Sequence, residues 1–298
     1  MKNSSWLAEI KVIIFDLDGT LYQDDTFMER YFRYLLEGTE HEANTESEVK
    51  TGNAILTGEH PFGFGHFYHS RDHMILSRLE DGSFKGYTWE GEATQYLGKK
   101  SDSVPAGDLV HLGDPWGIAA VISQRYNLPD DKLKHAFNRV RREMLRAPHQ
   151  FRAHRGLFQA IGELDLSKRV LMTNTHLESG IEFLNHMQIH HLFEEVLCGA
   201  EKPAGMENYL SSLLKEGYGA HEILSIGDNP WNDLYPVKRM GGRTCFISPY
   251  VSHDKETWDI RLTTLDELEQ LIRAVHDSKL RRRATDGTNP TEADQQEV

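Results

Sequence analysis

Cysteine is nearly absent: Cys198 and Cys245 are the two thiols in 298 residues. Both lie in apolar runs and not in paired Cys-x-x-Cys spacing, which excludes a disulfide framework and a cysteine-built zinc site and predicts buried thiols in a reducing compartment. A basic excess is missing as well. With 33 Lys and Arg against 46 Asp and Glu, the formal net charge is -13, so no surplus of cations is available to neutralise a phosphate backbone or an anionic membrane surface. A nucleic-acid scaffold is therefore not expected, whereas a small anionic substrate stays open if a few local donors and a divalent cation hold it. No apolar run approaches the roughly 20 residues of a membrane span. The stretch Met1 to Ile10 carries no apolar signal core, so a cytoplasmic location away from membranes is expected. Internal repeats are lacking too, since the recurrence of Gly113-Asp114-Pro115-Trp116 in Gly227-Asp228-Asn229-Pro230-Trp231 is short enough for chance.

What is present is an ordinary globular composition, 39% hydrophobic and 27% charged, in a chain long enough for about two domains. The most informative stretch is Val12 to Tyr22. Val12, Ile13, Ile14 and Phe15 read as a buried parallel strand, and Asp16 and Asp18 follow where that strand must meet water. Open α/β sheets keep their chemistry at such strand ends. Acids spaced two apart leave a strand on one side, so this pair can converge on one metal ion or one reacting group. Gly19 permits a sharp turn, and Thr20 adds a hydroxyl.

From Gly156 the chain alternates regularly. Helices are predicted over 156–164, 177–187, 206–214, 233–240 and 265–276, and strands over 169–173, 195–198, 223–226 and 243–247. That alternation predicts a parallel sheet covered on both faces. The strand at 12–15 finds its partner only in this sheet, which makes the intervening segment an insertion. The expected organisation is a core of residues 1–23 and 150–276, an inserted domain of 24–149, and a tail of 277–298 that is too polar to fold. Within the insertion, helical periodicity covers 26–36, 118–126 and a long stretch from a cap at Asp130 to about Arg146. Gly52 to Leu128 is rich in Gly, His and aromatics and shows no clear period. There, Asp81-Gly82 fits either a hairpin turn or the end of a helix over 71–79.

Four positions end or follow strands of the sheet: Asp16 with Asp18, Thr173 with Asn174, Lys202 in Glu201-Lys202-Pro203, and Asp228 with Asp233. Acids clustered at buried strand ends repel one another without a cation. Carboxylates completed by waters and substrate phosphate suit Mg²⁺, and a carboxylate can attack phosphorus covalently. Lysine, threonine and backbone N–H groups can neutralise a transferring phosphoryl group. Asn174 and Asp233 also stand where a helix cap would. His66, His69 and His73 have near-helical spacing but no carboxylate or cysteine partner in the pattern, and read as core or surface histidines. Phe62, Phe64, Phe67, Tyr68, Trp89 and Trp116 read as core of the insertion.

The order D-x-D-G-T, strand-end Thr-Asn, Lys-Pro, then G-D-x-x-x-x-D resembles the haloacid dehalogenase superfamily, specifically its phosphatases, over about residues 10–24 and 150–272. The resemblance implies an α/β fold, a Rossmann-like parallel sheet with a large, mainly helical C1-type cap inserted after the first strand. It implies Mg²⁺-dependent hydrolysis of a small phosphorylated metabolite through an aspartyl-phosphate. Asp16 would be the nucleophile, and Asp18 the acid that protonates the leaving alcohol and then the base that activates water. Thr173, Asn174 and Lys202 would hold phosphate. Mg²⁺ would be held by Asp16, the carbonyl of Asp18 and Asp228, with Asp233 a direct or outer ligand. Phosphomutases of the β-phosphoglucomutase kind share these motifs and supply a second reading. A catalytically idle binding protein would show a gap among the acids, and this sequence has none. A dehalogenase is disfavoured by Asp18. Specificity belongs to the cap, and neither substrate nor oligomeric state follows from the sequence.

Overall fold

Strand β1 (Val12–Phe15) lies inside a six-stranded sheet in the computed structural model, which describes residues 5–100, 106–254 and 257–286. Its neighbours are β7 (Lys168–Thr173) and β9 (Ile223–Gly227), and the sheet continues through β8 (Glu195–Cys198) on one side and β10 (Arg243–Ile247) and β11 (Ile260–Leu262) on the other. Every pairing is parallel. The period of two divides the side chains of β1 between two cores. Val12 and Ile14 pack with Met206, Leu210 and Leu213 of α7 (Ala204–Lys215) and Val237 of α8 (Tyr235–Arg239). Ile13 and Phe15 face α5 (Arg155–Glu163), α6 (Leu177–Met187) and α9 (Leu265–Asp286). Helices thus cover both faces, as a continuously apolar strand requires. Among the described residues, no helix is long and apolar enough to cross a membrane.

Between β1 and α5 the chain carries the helices α1 (Met28–Leu36), α2 (Thr45–Thr57), α3 (Pro115–Arg125) and α4 (Asp130–Met144), of which α2 was not expected from the sequence. It also carries an antiparallel five-stranded sheet that the sequence pattern did not resolve. Its strands are β2 (Phe67–His69), β3 (Met74–Arg78), β4 (Ser83–Tyr87), β5 (Ala93–Lys100) and β6 (Leu109–His111). Of the two readings of Asp81-Gly82, the hairpin is correct. Asp81 Oδ1 accepts from the Ser83 N–H and hydroxyl at 2.9 and 2.6 Å, and Gly82 takes the left-handed φ of +79°. Asp130 opens α4 from inside its first turn, and Pro129 occupies the cap position.

The tail also departs from its predicted disorder. Helix α9 continues from His276 to Asp286. Lys279 Nζ reaches the Ile10 carbonyl at 2.6 Å and Arg283 pairs with Asp165, contacts that supply what the poor apolar content does not. Residues 287–298 lie outside the described residues.

Because Ile14 is 1% exposed and packs between two neighbouring strands, Ile14→Ala should lower unfolding free energy by about 2–5 kcal/mol, read as a drop in the urea midpoint. A change under about 1 kcal/mol would contradict this packing.

Candidate active site

The carboxyl ends of β1, β7, β8 and β9 open onto a cavity of about 190 Å³. It is lined by Asp16 and Asp18 after β1, Thr173, Asn174 and Thr175 at the end of β7, Lys202 after β8, and Asp228, Asn229, Asn232 and Asp233 after β9. Asp114, Trp116 and Phe137 close it from the insertion. All seven residues singled out from the sequence therefore line one cavity.

The acids approach closely because glycines let them. Gly19 has φ +76°, and a Cβ there would stand 1.9 Å from Asp228 Oδ2; a Cβ on Gly227 would stand 2.5 Å from Asp233 Cβ. Asp16, Asp228 and Asp233 each offer an oxygen within 4.8 Å of the others, and all three are buried. Lys202 Nζ donates to Asp16 Oδ1 at 2.7 Å, to Asp233 Oδ1 at 2.6 Å and to the Met172 carbonyl at 2.8 Å. All three ammonium protons are therefore directed.

The electrostatics follow from burial. Desolvation pushes the Asp16 carboxyl up to about 8; Lys202 opposes this, while the charges of Asp233 and Asp18 add to it. Burial first, then the charges of Asp114, Asp16, Asp233 and Asp18, push Asp228 well above the usual carboxylate range. Burial also raises Asp233, against the pull of Lys202. For Lys202, burial works against the charge, but Asp16 and Asp233 outweigh it and hold the ammonium well above its ordinary value. Three buried carboxyls that burial first, and then mutual repulsion, keep protonated carry the negative charge that a divalent cation such as Mg²⁺ neutralises.

Asp18 lives in a different environment. Burial would raise it, yet the Arg141 charge and hydrogen bonds from Thr175, Tyr22 and Arg141 together hold it below the ordinary value. Thr175 Oγ1 donates to Asp18 Oδ2 at 2.6 Å, and both the Tyr22 hydroxyl and Arg141 Nη1 donate to Oδ1. Arg141 comes from α4 and is 1% exposed. It also donates to Tyr22 Oη at 2.7 Å and Ser179 Oγ at 2.9 Å, and its Cζ lies 3.4 Å from the Phe183 ring centroid. Sequence reading missed Arg141 because α4 is an amphipathic helix with basic residues throughout; only its position on the buried face, with Ala136, Val140 and Met144, distinguishes it.

The remaining expected residues divide. Thr173 Oγ1 accepts from the Thr175 N–H at 3.1 Å, which leaves its proton free to point into the cavity. Asn174 clamps Lys202: its Nδ2 donates to the Lys202 carbonyl at 3.1 Å and its Oδ1 accepts from the Lys202 N–H at 2.7 Å. Its amide thus positions the lysine, and the cap of α6 is His176 instead. Asp233 is not a helix cap either. It lies in a π-helical turn, Pro230–Leu234, whose cap is Asn229, and its Oδ2 accepts from the Asn229 N–H at 3.1 Å.

Asp114 was unforeseen. Its Oδ1 accepts from the Gly117 N–H at 2.9 Å as the cap of α3, and its Oδ2 accepts from Asn229 Nδ2 at 2.7 Å. The two similar Gly-Asp-containing segments thus meet across the cavity. Each opens a helical turn with a capping side chain followed by proline, which accounts for their likeness without a repeat. His66, His69 and His73 lie elsewhere: His66 stacks on His253 at 4.3 Å, His69 Nδ1 accepts from the Asp72 N–H, and His73 bonds the Tyr68 hydroxyl.

The family described as haloacid dehalogenase-like hydrolase matches residues 10–241, and the chain belongs to it. No curated relative matches. Among solved structures, the putative HAD-hydrolase YfnB from Bacillus subtilis, bound to magnesium, is 17% identical over 88% of this chain and 98% of its own, with a TM-score of 0.50. A predicted phosphoglycolate phosphatase from Haemophilus somnus 129PT is 16% identical over 88% and 98%, with a TM-score of 0.48. The 2-haloacid dehalogenase from Pseudomonas syringae pv. tomato DC3000 is 16% identical over 89% and 99%, with a TM-score of 0.41. The likeness to YfnB shows a shared fold.

A carboxyl raised from 3.8 to about 8 binds a proton in the folded state that the unfolded chain has already lost, so this site destabilises the cation-free protein progressively as pH rises through that window. A cation that displaces those protons relieves more repulsion at high pH. Mg²⁺ should therefore raise the melting temperature more near pH 8 than near about pH 5.5, by calorimetry. An equal shift at both would contradict the site's charge balance.

Proposed function

We propose that this hydrolase is a Mg²⁺-dependent phosphomonoesterase that acts on a small phosphorylated metabolite through an aspartyl-phosphate on Asp16. The observation that carries the reading is the separation of two acids only two residues apart. Asp16 sits with Asp228, Asp233 and Lys202, whereas Asp18 is held by Arg141, Tyr22 and Thr175. One environment suits a nucleophile beside a cation, and the other a proton carrier.

Lys202 fixes Asp16 Oδ1, so Oδ2 is the oxygen that attacks phosphorus. As the Asp16 O–P bond forms, the P–O bond to the leaving alcohol breaks and Asp18 supplies the proton that oxygen needs. Water then attacks the same phosphorus and gives a proton to Asp18, and Asp16 departs as a carboxylate with release of phosphate. Thr173 donates to a phosphoryl oxygen, the Lys202 charge offsets that of the phosphoryl group and the acids beside it, and Asn174 keeps Lys202 in place. Mg²⁺, held by Asp16, the Asp18 carbonyl and Asp228, would neutralise the acids and the phosphoryl oxygens. Both oxygens of Asp233 are engaged, by Lys202 and by the Asn229 N–H, which supports an outer role for it beside Lys202.

With Arg141 beside it, Asp18 is ionised, the state required of a base. The acid step needs Asp18 to hold a proton before the P–O bond breaks.

Two outcomes follow. Asp16→Asn should abolish phosphate release from p-nitrophenyl phosphate in a malachite green assay; retained turnover would remove Asp16 from the chemistry. Arg141→Met, similar in length and compatible with the Phe183 contact, should let the Asp18 carboxyl rise towards and above its ordinary value. The acidic limb of the kcat profile should then move to higher pH, while an unmoved limb would show that Arg141 does not tune Asp18.

A further inference from the structure

The cavity wall beyond the reacting carboxylates comes from the insertion, and its chemistry is one-sided. Asp114, Trp116 and Phe137 line the same cavity as Asp18 and Asn232. Along the whole lining five carboxylates, those of Asp16, Asp18, Asp114, Asp228 and Asp233, stand against the single ammonium of Lys202. Lys202 is itself engaged by Asp16, Asp233 and the Met172 carbonyl. The next cation, Arg141, donates from Nη1 and Nε to Asp18, Tyr22 and Ser179; its Nη2 is buried without a hydrogen-bond partner, but its charge is already balanced by Asp18. A divalent cation and the phosphoryl group nearly cancel one another, so no positive charge is left over for a second anion on the substrate.

The wall does offer other partners. Asp114 is fixed by Gly117 and Asn229, so its carboxylate is pre-organised to accept a hydrogen bond. Asn232 brings an amide with both donors and an acceptor. Trp116 and Phe137, with ring centroids 5.3 Å apart, supply an apolar surface. Trp116 is held by stacking on Phe27 at 3.7 Å, so this surface is rigid.

We infer that the cap wall built by Asp114, Trp116 and Phe137, together with Asn232 of the core, selects phosphomonoesters whose leaving alcohol is hydroxylated or bears an ammonium, and rejects those whose leaving alcohol carries a carboxylate or second phosphate. The inference rests on the phosphatase reading and adds the substrate class to it. Rejection operates through unpaired like charge, and acceptance through donation to Asp114.

Three two-carbon esters isolate the effect: 2-hydroxyethyl phosphate, phosphoethanolamine and 2-phosphoglycolate. Their affinities are measured by calorimetry with Asp16→Asn and Mg²⁺, since this variant binds without turning over and its lost charge makes any remaining preference a conservative one. The first two should bind roughly tenfold tighter than phosphoglycolate, or better. Asp114→Asn added to that variant keeps the capping oxygen and should narrow the gap, mainly by tighter binding of phosphoglycolate. Equal or tighter binding of phosphoglycolate, or binding of none of the three, overturns the inference. Wild-type phosphate release from 2-hydroxyethyl phosphate, phosphoethanolamine and p-nitrophenyl phosphate is read separately. Its absence defeats the phosphatase reading whatever the binding order, and its presence with the wrong order defeats only the substrate class.

Discussion

Everything at the cavity depends on how buried negative charge is kept at the ends of parallel strands. Asp16, Asp228 and Asp233 come within 4.8 Å of one another because β1 and β9 are adjacent and their following residues turn the same way. In water such a cluster would cost little, but in a buried site it raises every member. Lys202 is the protein's own answer: a buried ammonium donating to two of the three and to a strand carbonyl. One cation for three acids leaves the third, Asp228, the most strained electrostatically, and that deficit is what a divalent ion relieves. Asn174 belongs to the same arrangement, since it holds the backbone of Lys202 from both sides.

The insertion is tied to this centre at two points of opposite character. Arg141 of α4 brings a positive charge to Asp18, and Asp114 at the start of α3 brings a negative one towards Asp228. Asp18 and Asp228 therefore feel the cap in opposite senses, the first held ionised and the second pushed towards its neutral form. Further along, the segment leading into β2 meets the core through His66 against His253 and Phe64 against Tyr250, whose hydroxyl reaches Asp25 at 2.5 Å. The charge around both acids is therefore set in part by the insertion.

The core was legible in the sequence because its signals are local and repeated. Val12 to Phe15 is an unbroken apolar run, residues 170–172 and 223–226 are short, mainly apolar ones, and each is followed within two residues by a polar residue of the site. The insertion was less legible. Its strands β2 and β6 are three residues long, too short to display a period of two, and glycine interrupts β4. Arg141 and Asp114 were hidden for a related reason. An arginine in a basic helix and an aspartate before a proline have ordinary surface and capping explanations, and only long-range packing, 123 residues apart for Arg141 and Asp18, gives them another. The extension of α9 past His276 likewise depends on contacts with Ile10 and Asp165 that composition cannot reveal.

The central claim is that phosphorus becomes bonded to Asp16 and that Asp18 releases it. Rapid acid quench of Asp18→Asn after mixing with p-nitrophenyl phosphate and Mg²⁺, followed by peptide mass spectrometry, tests this directly. The account predicts one phosphoryl group on the peptide that contains Asp16, accumulating because the base for the second step is gone. Phosphorylation at another residue, or wild-type phosphate release with no adduct at any quench time in either protein, would contradict it.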